Sequence, residues 1–137
     1  MKKVMVFGVF DGVHEGHKEF FKQARKHGDY LIAVLTQDHV VERLKLRLPK
    51  KNFAERFDHL KKEDIVDEIV IGDAELGTYD VVKRHKPDVI ALGYDQAGLG
   101  SDIEHHKKEF NWQLKIEILK PFEPEKYHSS LLDKENI

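Results

Sequence analysis

Lys3-Val4-Met5-Val6-Phe7-Gly8-Val9-Phe10-Asp11-Gly12-Val13-His14-Glu15-Gly16-His17-Lys18-Glu19-Phe20 reads as a strand, a tight loop and the start of a helix. Lys3 to Phe7 is a short valine-rich run that suits a central parallel strand, and Gly8 punctuates its carboxyl end. From Glu15 onward Phe20, Phe21 and Ala24 recur at helical spacing with His17 on the same stripe. His14 and His17, three apart, therefore share one face of the first helical turn. Such a turn carries unsatisfied N–H groups and the positive end of the macrodipole, so it attracts phosphate. Imidazole N–H groups there add donors for an oxygen on which charge grows during phosphoryl or nucleotidyl transfer. Gly16, without a Cβ, would let a base or phosphate approach the helix. Two plainer readings stay open: a solvated histidine cap, and half of a metal site, although no cysteine exists and the spacing supplies no third ligand.

Working outward, strand and helix patterns alternate. Gly28 is expected to cap the first helix, and Tyr30 to Leu35 forms a second buried strand. Gln37 to Leu44 reads as a short helix, followed by a loop around Pro49. Asn52 to Lys62 reads as another, with Asn52 and Glu55 in a capping-box pattern. Val66 to Ile71 is a third strand and Thr78 to His85 a helix. Asp88 to Leu92 is a fourth strand ending at Gly93. Ser101 is expected to cap a helix running to about Phe110, Leu114 to Leu119 forms a fifth strand, and a last short helix starts at Ser129 or Ser130. This alternation predicts an α/β fold, a five-stranded parallel sheet with helices on both faces, whose ligands bind at the carboxyl ends of the strands near the switch point.

Composition narrows the classes. The 137 residues suit one domain, since domains cluster at about 100–150 residues. Lys and Arg total 23 against 25 Asp and Glu, for a net charge of −2, so no global basic field recruits nucleic acid and any anion site is local. No apolar run approaches the length of a membrane span, no signal-type segment opens the chain, and there is no cysteine for disulfide or thiol chemistry. The expectation is a cytoplasmic protein with neither nucleic acid nor membrane as partner. Within this acidic chain, Arg43 to Lys51 carries five positive charges and no acid. The run is either a solvated face or a phosphate site.

Gly8-Val9-Phe10-Asp11-Gly12-Val13-His14-Glu15-Gly16-His17 resembles, over all ten positions, the signature of the cytidylyltransferase-like nucleotidyltransferases, a His-x-Gly-His behind a Gly-x-Phe-Asp loop. The resemblance extends over nearly the whole chain and implies one Rossmann-like nucleotidyltransferase domain over residues 1–137. Such an enzyme would move a nucleoside monophosphate from a nucleoside triphosphate to a phosphorylated acceptor and release pyrophosphate. It implies that Gly8, Val9, Phe10, Asp11, Gly16, Gly93, Asp95 and Gln96 surround the nucleotide. His14 and His17 would stabilise the transition state, with Lys45 and Arg56 as further catalytic groups. Arg47, Lys50 and Tyr94 would meet the acceptor or phosphates. Ser129 and Ser130 stand where the family grips the β and γ phosphates, although the Arg that commonly follows is absent and Lys134 stands beside an acid. Mg²⁺ would bridge triphosphate oxygens with Asp11 as an outer-sphere contact, and members often pair as homodimers. Leu92-Gly93-Tyr94-Asp95-Gln96 is more similar to the archaeal-type FAD synthases than to the glycerol-phosphate cytidylyltransferases. ATP and FMN are therefore the favoured pair, with CTP and a polyol phosphate, or a non-catalytic nucleotide-binding module, as alternatives. Tyr94, Trp112, Phe122 and Tyr127 are candidate flavin walls; Trp112 and Phe122 are equally readable as core.

Overall fold

The computed structural model describes residues 1–121. Five strands, β1 (Lys3–Gly8), β2 (Tyr30–Leu35), β3 (Glu68–Ile71), β4 (Val89–Leu92) and β5 (Lys115–Ile118), form one parallel sheet in the order β3-β2-β1-β4-β5. The intervening helices are α1 (Glu15–Arg25), α2 (Asp38–Lys45), α3 (Phe53–Lys61), α4 (Asp80–His85) and α5 (Ala97–His106), followed by a 3₁₀ turn at Lys107–Glu109. The expected class is the observed one.

The side-chain alternation of β1 divides the core in two. Val4 and Val6 face one layer with Phe21 and Ala24 of α1 and Leu60 of α3. Met5 faces the other with Val81 and Val82 of α4 and Ile103 of α5. Both faces of β1, β2 and β4 are thus covered, which is why these strands read as continuous apolar runs.

The sheet order places the switch point between β1 and β4. β1 pairs with β2 along its whole length, from Lys3↔Tyr30 to Gly8↔Leu35. Its pairing with β4 covers only Val4↔Val89 and Met5↔Ile90. The two strands therefore part at their carboxyl ends, and open α/β sheets hold their ligands in such a crevice.

Several boundaries differ from the sequence reading, three of them at helices for a visible reason. α1 is closed by Lys26 in right-handed conformation; Gly28 is instead a close-approach position, where a Cβ would lie 2.6 Å from the Lys2 carbonyl oxygen. α4 starts at Asp80 because Tyr79 adopts a left-handed φ of 54° that interrupts the turn. α5 starts at Ala97, not Ser101. Gly100 lets it settle on the sheet, since a Cβ there would come within 3.1 Å of Leu92 Cδ1, and Ile103 one turn on is fully buried.

Candidate functional site

The turn from β1 into α1 is built by its own side chains. Phe10 has φ 49°, in the left-handed region disfavoured for a bulky residue, and Gly12 has φ 94°. The Phe10 ring folds back over Gly8, where a Cβ would meet its Cζ at 2.6 Å, and is buried against Phe21. Gly8 is thus required by the ring that lies on it.

His14 is the N-cap of α1. Its Nδ1 accepts from the Gly16 N–H at 3.0 Å, and its own N–H donates to His17 Nδ1 at 3.3 Å, a capping box made of two imidazoles. With Nδ1 of both rings used as acceptors, the proton of a neutral ring belongs on Nε2. The rings stack at 4.0 Å between centroids, and Phe10 meets the His17 ring edge-on at 5.4 Å. His17 is 4% exposed. Burial first, and the neighbouring His14 second, lower its pKa to about 3, against a small opposing effect of the Gly12 carbonyl, which lies outside hydrogen-bonding geometry. His17 is therefore a neutral donor at physiological pH, and its Nε2 has no hydrogen-bond partner among the described residues. A buried N–H left in this state is a site for a ligand oxygen. Gly16 has a reason within the fold as well: a Cβ there would lie 2.8 Å from His14 Cε1, so glycine makes room for the capping ring.

The basic stretch is tied to this turn from a distance. Asp11 accepts the Lys50 and Lys51 N–H groups on its two carboxylate oxygens, at 2.7 and 3.0 Å. Arg56, fully buried, donates to the Lys51 carbonyl at 3.1 Å, to the Val9 carbonyl at 2.9 Å and to Asp38 Oδ1 at 2.7 Å. This bears on two expectations. Arg56, expected as a catalytic group, is instead fully buried and joins the loop around Lys51 to the loop around Val9. Asp11, expected as an outer-sphere metal contact, accepts one backbone amide on each carboxylate oxygen and so also holds the loop at Lys50 and Lys51.

Two clefts open at the carboxyl edge of the sheet, one on each side of β1. The first is lined by Phe7, Phe10, Gly16, His17, Phe20 and Gln23 on one side. Gly93 to Gln96 and Leu119 to Pro121 close the other. The second has an apolar wall of Val34, Val40, Val41, Leu44, Leu76 and Leu99 and a polar rim that includes Thr36, Lys45, Asp73 and Asp102. Tyr79 also lines it, donating to Asp102 Oδ2 at 2.5 Å, and burial together with that carboxylate pushes the phenol well above its usual pKa. Burial likewise raises Asp73.

The expected residues thus separate. Gly8 and Val9 border the second cleft, and Phe10, Gly16, His17, Gly93 and Asp95 the first, with His14 stacked on His17. Tyr94, expected at the acceptor or phosphates, lines the first cleft. Lys45 lines the second, while Arg47 and Lys50 lie outside the lining of both. Gln96 borders both, but its side-chain amide is spent on the backbone of Gly93 and Phe7. Trp112 is no flavin wall: it stacks on Phe110 at 5.0 Å and donates to the Pro87 carbonyl. Phe122, Tyr127, Ser129, Ser130 and Lys134 lie outside the described residues. Asp38, Tyr79 and Asp102 were missed because an acid in a helix's first turn reads as dipole compensation, and nothing local marks Tyr79 as left-handed.

The chain matches the model of the cytidylyltransferase-like family over residues 5–134. It is 44% identical over 109 residues to the FAD synthase of Thermococcus sibiricus, covering 80% of this chain and 74% of that protein. It is 39% identical over 118 residues to the FAD synthase of Pyrococcus horikoshii, covering 86% and 78%. Among solved structures, the lipopolysaccharide core biosynthesis protein from Thermoplasma volcanium superposes with a TM-score of 0.77 at 31% identity, over 90% of this chain and 99% of that one.

Proposed function

This chain belongs to the cytidylyltransferase-like family, and we propose on that footing that it transfers AMP from ATP to FMN, forming FAD and pyrophosphate. A phosphate oxygen of FMN attacks the α-phosphorus in line, the bond from that phosphorus to the β-bridging oxygen breaks, and pyrophosphate leaves with the electron pair. No covalent enzyme intermediate is needed, so catalysis rests on positioning and on stabilising charge. The observation that carries this reading is the histidine pair: a buried, neutral His17 whose Nε2 lacks a partner, stacked on a His14 locked by its own cap. Both rings donate to α-phosphoryl oxygens as charge builds there.

The first cleft takes the nucleotide, with Gly93, Tyr94 and Asp95 beside base and ribose. The second takes the acceptor. Its wall of Val34, Val40, Val41, Leu44, Leu76 and Leu99 suits a large flat ring, which a glycerol phosphate would leave bare. Lys45 on its rim, with Arg47 and Lys50 on the loop beyond, offsets the phosphate charge, and Ser129 and Ser130 hold the triphosphate. The divalent cation would be Mg²⁺, held by the triphosphate, where it would offset the phosphate charge. It keeps much of its water and demands few protein ligands.

The test pairs ATP or CTP with FMN or glycerol phosphate and reads pyrophosphate and product mass. FAD formed from ATP and FMN alone is the expected result. A CDP-alcohol from CTP overturns the substrate assignment, and tight nucleotide binding without pyrophosphate release identifies a non-catalytic module.

A further inference from the structure

Gln96 is the N-cap residue of α5, yet its side chain makes no capping bond. It reaches across the switch point instead. Its Oε1 accepts from the Gly93 N–H at 2.9 Å and its Nε2 donates to the Phe7 carbonyl at 3.0 Å, while its backbone N–H donates to the Gly93 carbonyl at 3.0 Å. The amide orientation is unambiguous, because a peptide N–H only donates and a carbonyl only accepts. Phe7 is the penultimate residue of β1 and Gly93 follows β4, and the ladder between these strands stops at Met5↔Ile90. The side-chain amide is therefore interposed where the next rungs would be, presenting a donor to one strand and an acceptor to the other as a peptide group would. It is 6% exposed and borders both clefts.

We propose that Gln96 is the positioning residue of the switch point: its amide substitutes for the missing rung between β1 and β4 and so sets the spacing between the nucleotide and acceptor clefts. The strands must part to admit two substrates, but parted strand ends carry unpaired backbone groups and no fixed separation. One amide solves both. Gln96 touches neither reacting atom; it acts through Phe7, which leads into the Gly8–Val9 turn, and through Gly93 beneath the nucleotide. This inference rests on the two-substrate reading above and predicts a particular division of effects. Each cleft keeps all its other walls when the rung is lost, so single substrates bind nearly as before. Anything that must occupy both clefts at once, the transition state and the dinucleotide product, suffers.

The experiment uses Gln96→Met, which keeps length and removes both hydrogen bonds, and Gln96→Glu, which keeps the acceptor for Gly93 but places a carboxylate oxygen against the Phe7 carbonyl. Calorimetric titrations with a non-hydrolysable ATP analogue, FMN and FAD separately are set beside kcat and the hydrogen-exchange rate of the Gly93 amide. In Gln96→Met, affinities for the ATP analogue and FMN stay near wild type, kcat and FAD affinity fall by about 10²-fold, the scale of a small misplacement of reacting groups, and Gly93 exchanges faster. In Gln96→Glu the Gly93 amide stays protected while kcat falls. Losses for the single substrates equal to those for FAD, or unchanged Gly93 exchange in Gln96→Met, overturn the proposal. Failure of the wild type to bind FMN or FAD refutes the flavin reading instead, and Gly93 exchange in the two variants then still decides whether Gln96 is the rung. If Gln96→Met does not fold, the exchange and kcat of Gln96→Glu decide it.

Discussion

The histidine turn, residues 8–17, and the basic stretch, residues 43–51, stand at the same sheet edge and are held in opposite ways. The turn closes on itself: Phe10 lies over Gly8, His14 caps Gly16, and His17 receives the His14 amide, so its defining contacts span two or three residues. The basic stretch leaves α2 through Leu46 in left-handed conformation, 90% exposed, and is tied to the turn through Asp11, 39 and 40 positions away, and through Arg56. A self-closed turn makes a rigid donor site. A tethered loop makes an adjustable charge, suited to substrates that enter and leave.

Replacing the histidines should produce the largest effect. His17→Ala removes the neutral donor, and kcat falls by about 10²–10³-fold, the usual loss for one such donor, with nucleotide affinity far less affected. His14→Ala has the same effect plus loss of the cap, whereas His14→Asn restores the cap and not the rate, which a steady-state comparison of the two would reveal. Equal turnover in folded His17→Ala protein refutes the assigned role.

Arg56→Met tests the tether. It strips the donors from the Val9 and Lys51 carbonyls and leaves Asp38 without its cation, at a cost of about 3 kcal/mol in urea unfolding, the low end for breaking a buried pair because Asp38 is partly exposed. A loss below about 1 kcal/mol, comparable to a surface ion pair, would mean that the two loops are not held by it.

The pH dependence sharpens the contrast, since the rigid turn buries a neutral imidazole. Between the ordinary histidine value of 6.5 and about 3, unfolded His17 is protonated and folded His17 is not. The unfolded state then binds more protons, so stability falls as pH drops through this window, by up to about 1.4 kcal/mol per pH unit for the one group. His17→Asn lacks this component, and acid unfolding curves of the two proteins diverge below pH 6.5. Parallel curves would place His17 in water.

Asp11→Asn gives the smallest change. One amide keeps its acceptor and the other faces an NH₂ group, a loss of about 1 kcal/mol, or roughly fivefold in the KM of the anionic substrates, with kcat nearly unchanged. An equal fall in kcat with KM unaltered would show that Asp11 acts on the histidines rather than on the loop.

What the amino-acid order determined by itself was everything carried by short spacings. The alternation of strands and helices, the capping box at Asn52 and Glu55, and the His14–His17 pair on one helical face each depend on residues three or four apart, and each is present. Burial of Arg56, the engagement of both Asp11 oxygens, the left-handed Tyr79 beside Asp102 and the reach of Gln96 to Phe7 depend on partners 18 to 89 positions away. No local pattern encodes such contacts. A guanidinium on a helix reads alike whether it faces solvent or two carbonyls, and only the packed sheet, by bringing the Val9 and Lys51 backbones against α3 and parting β1 from β4, decided which of the polar side chains line the clefts and which are spent on the protein itself.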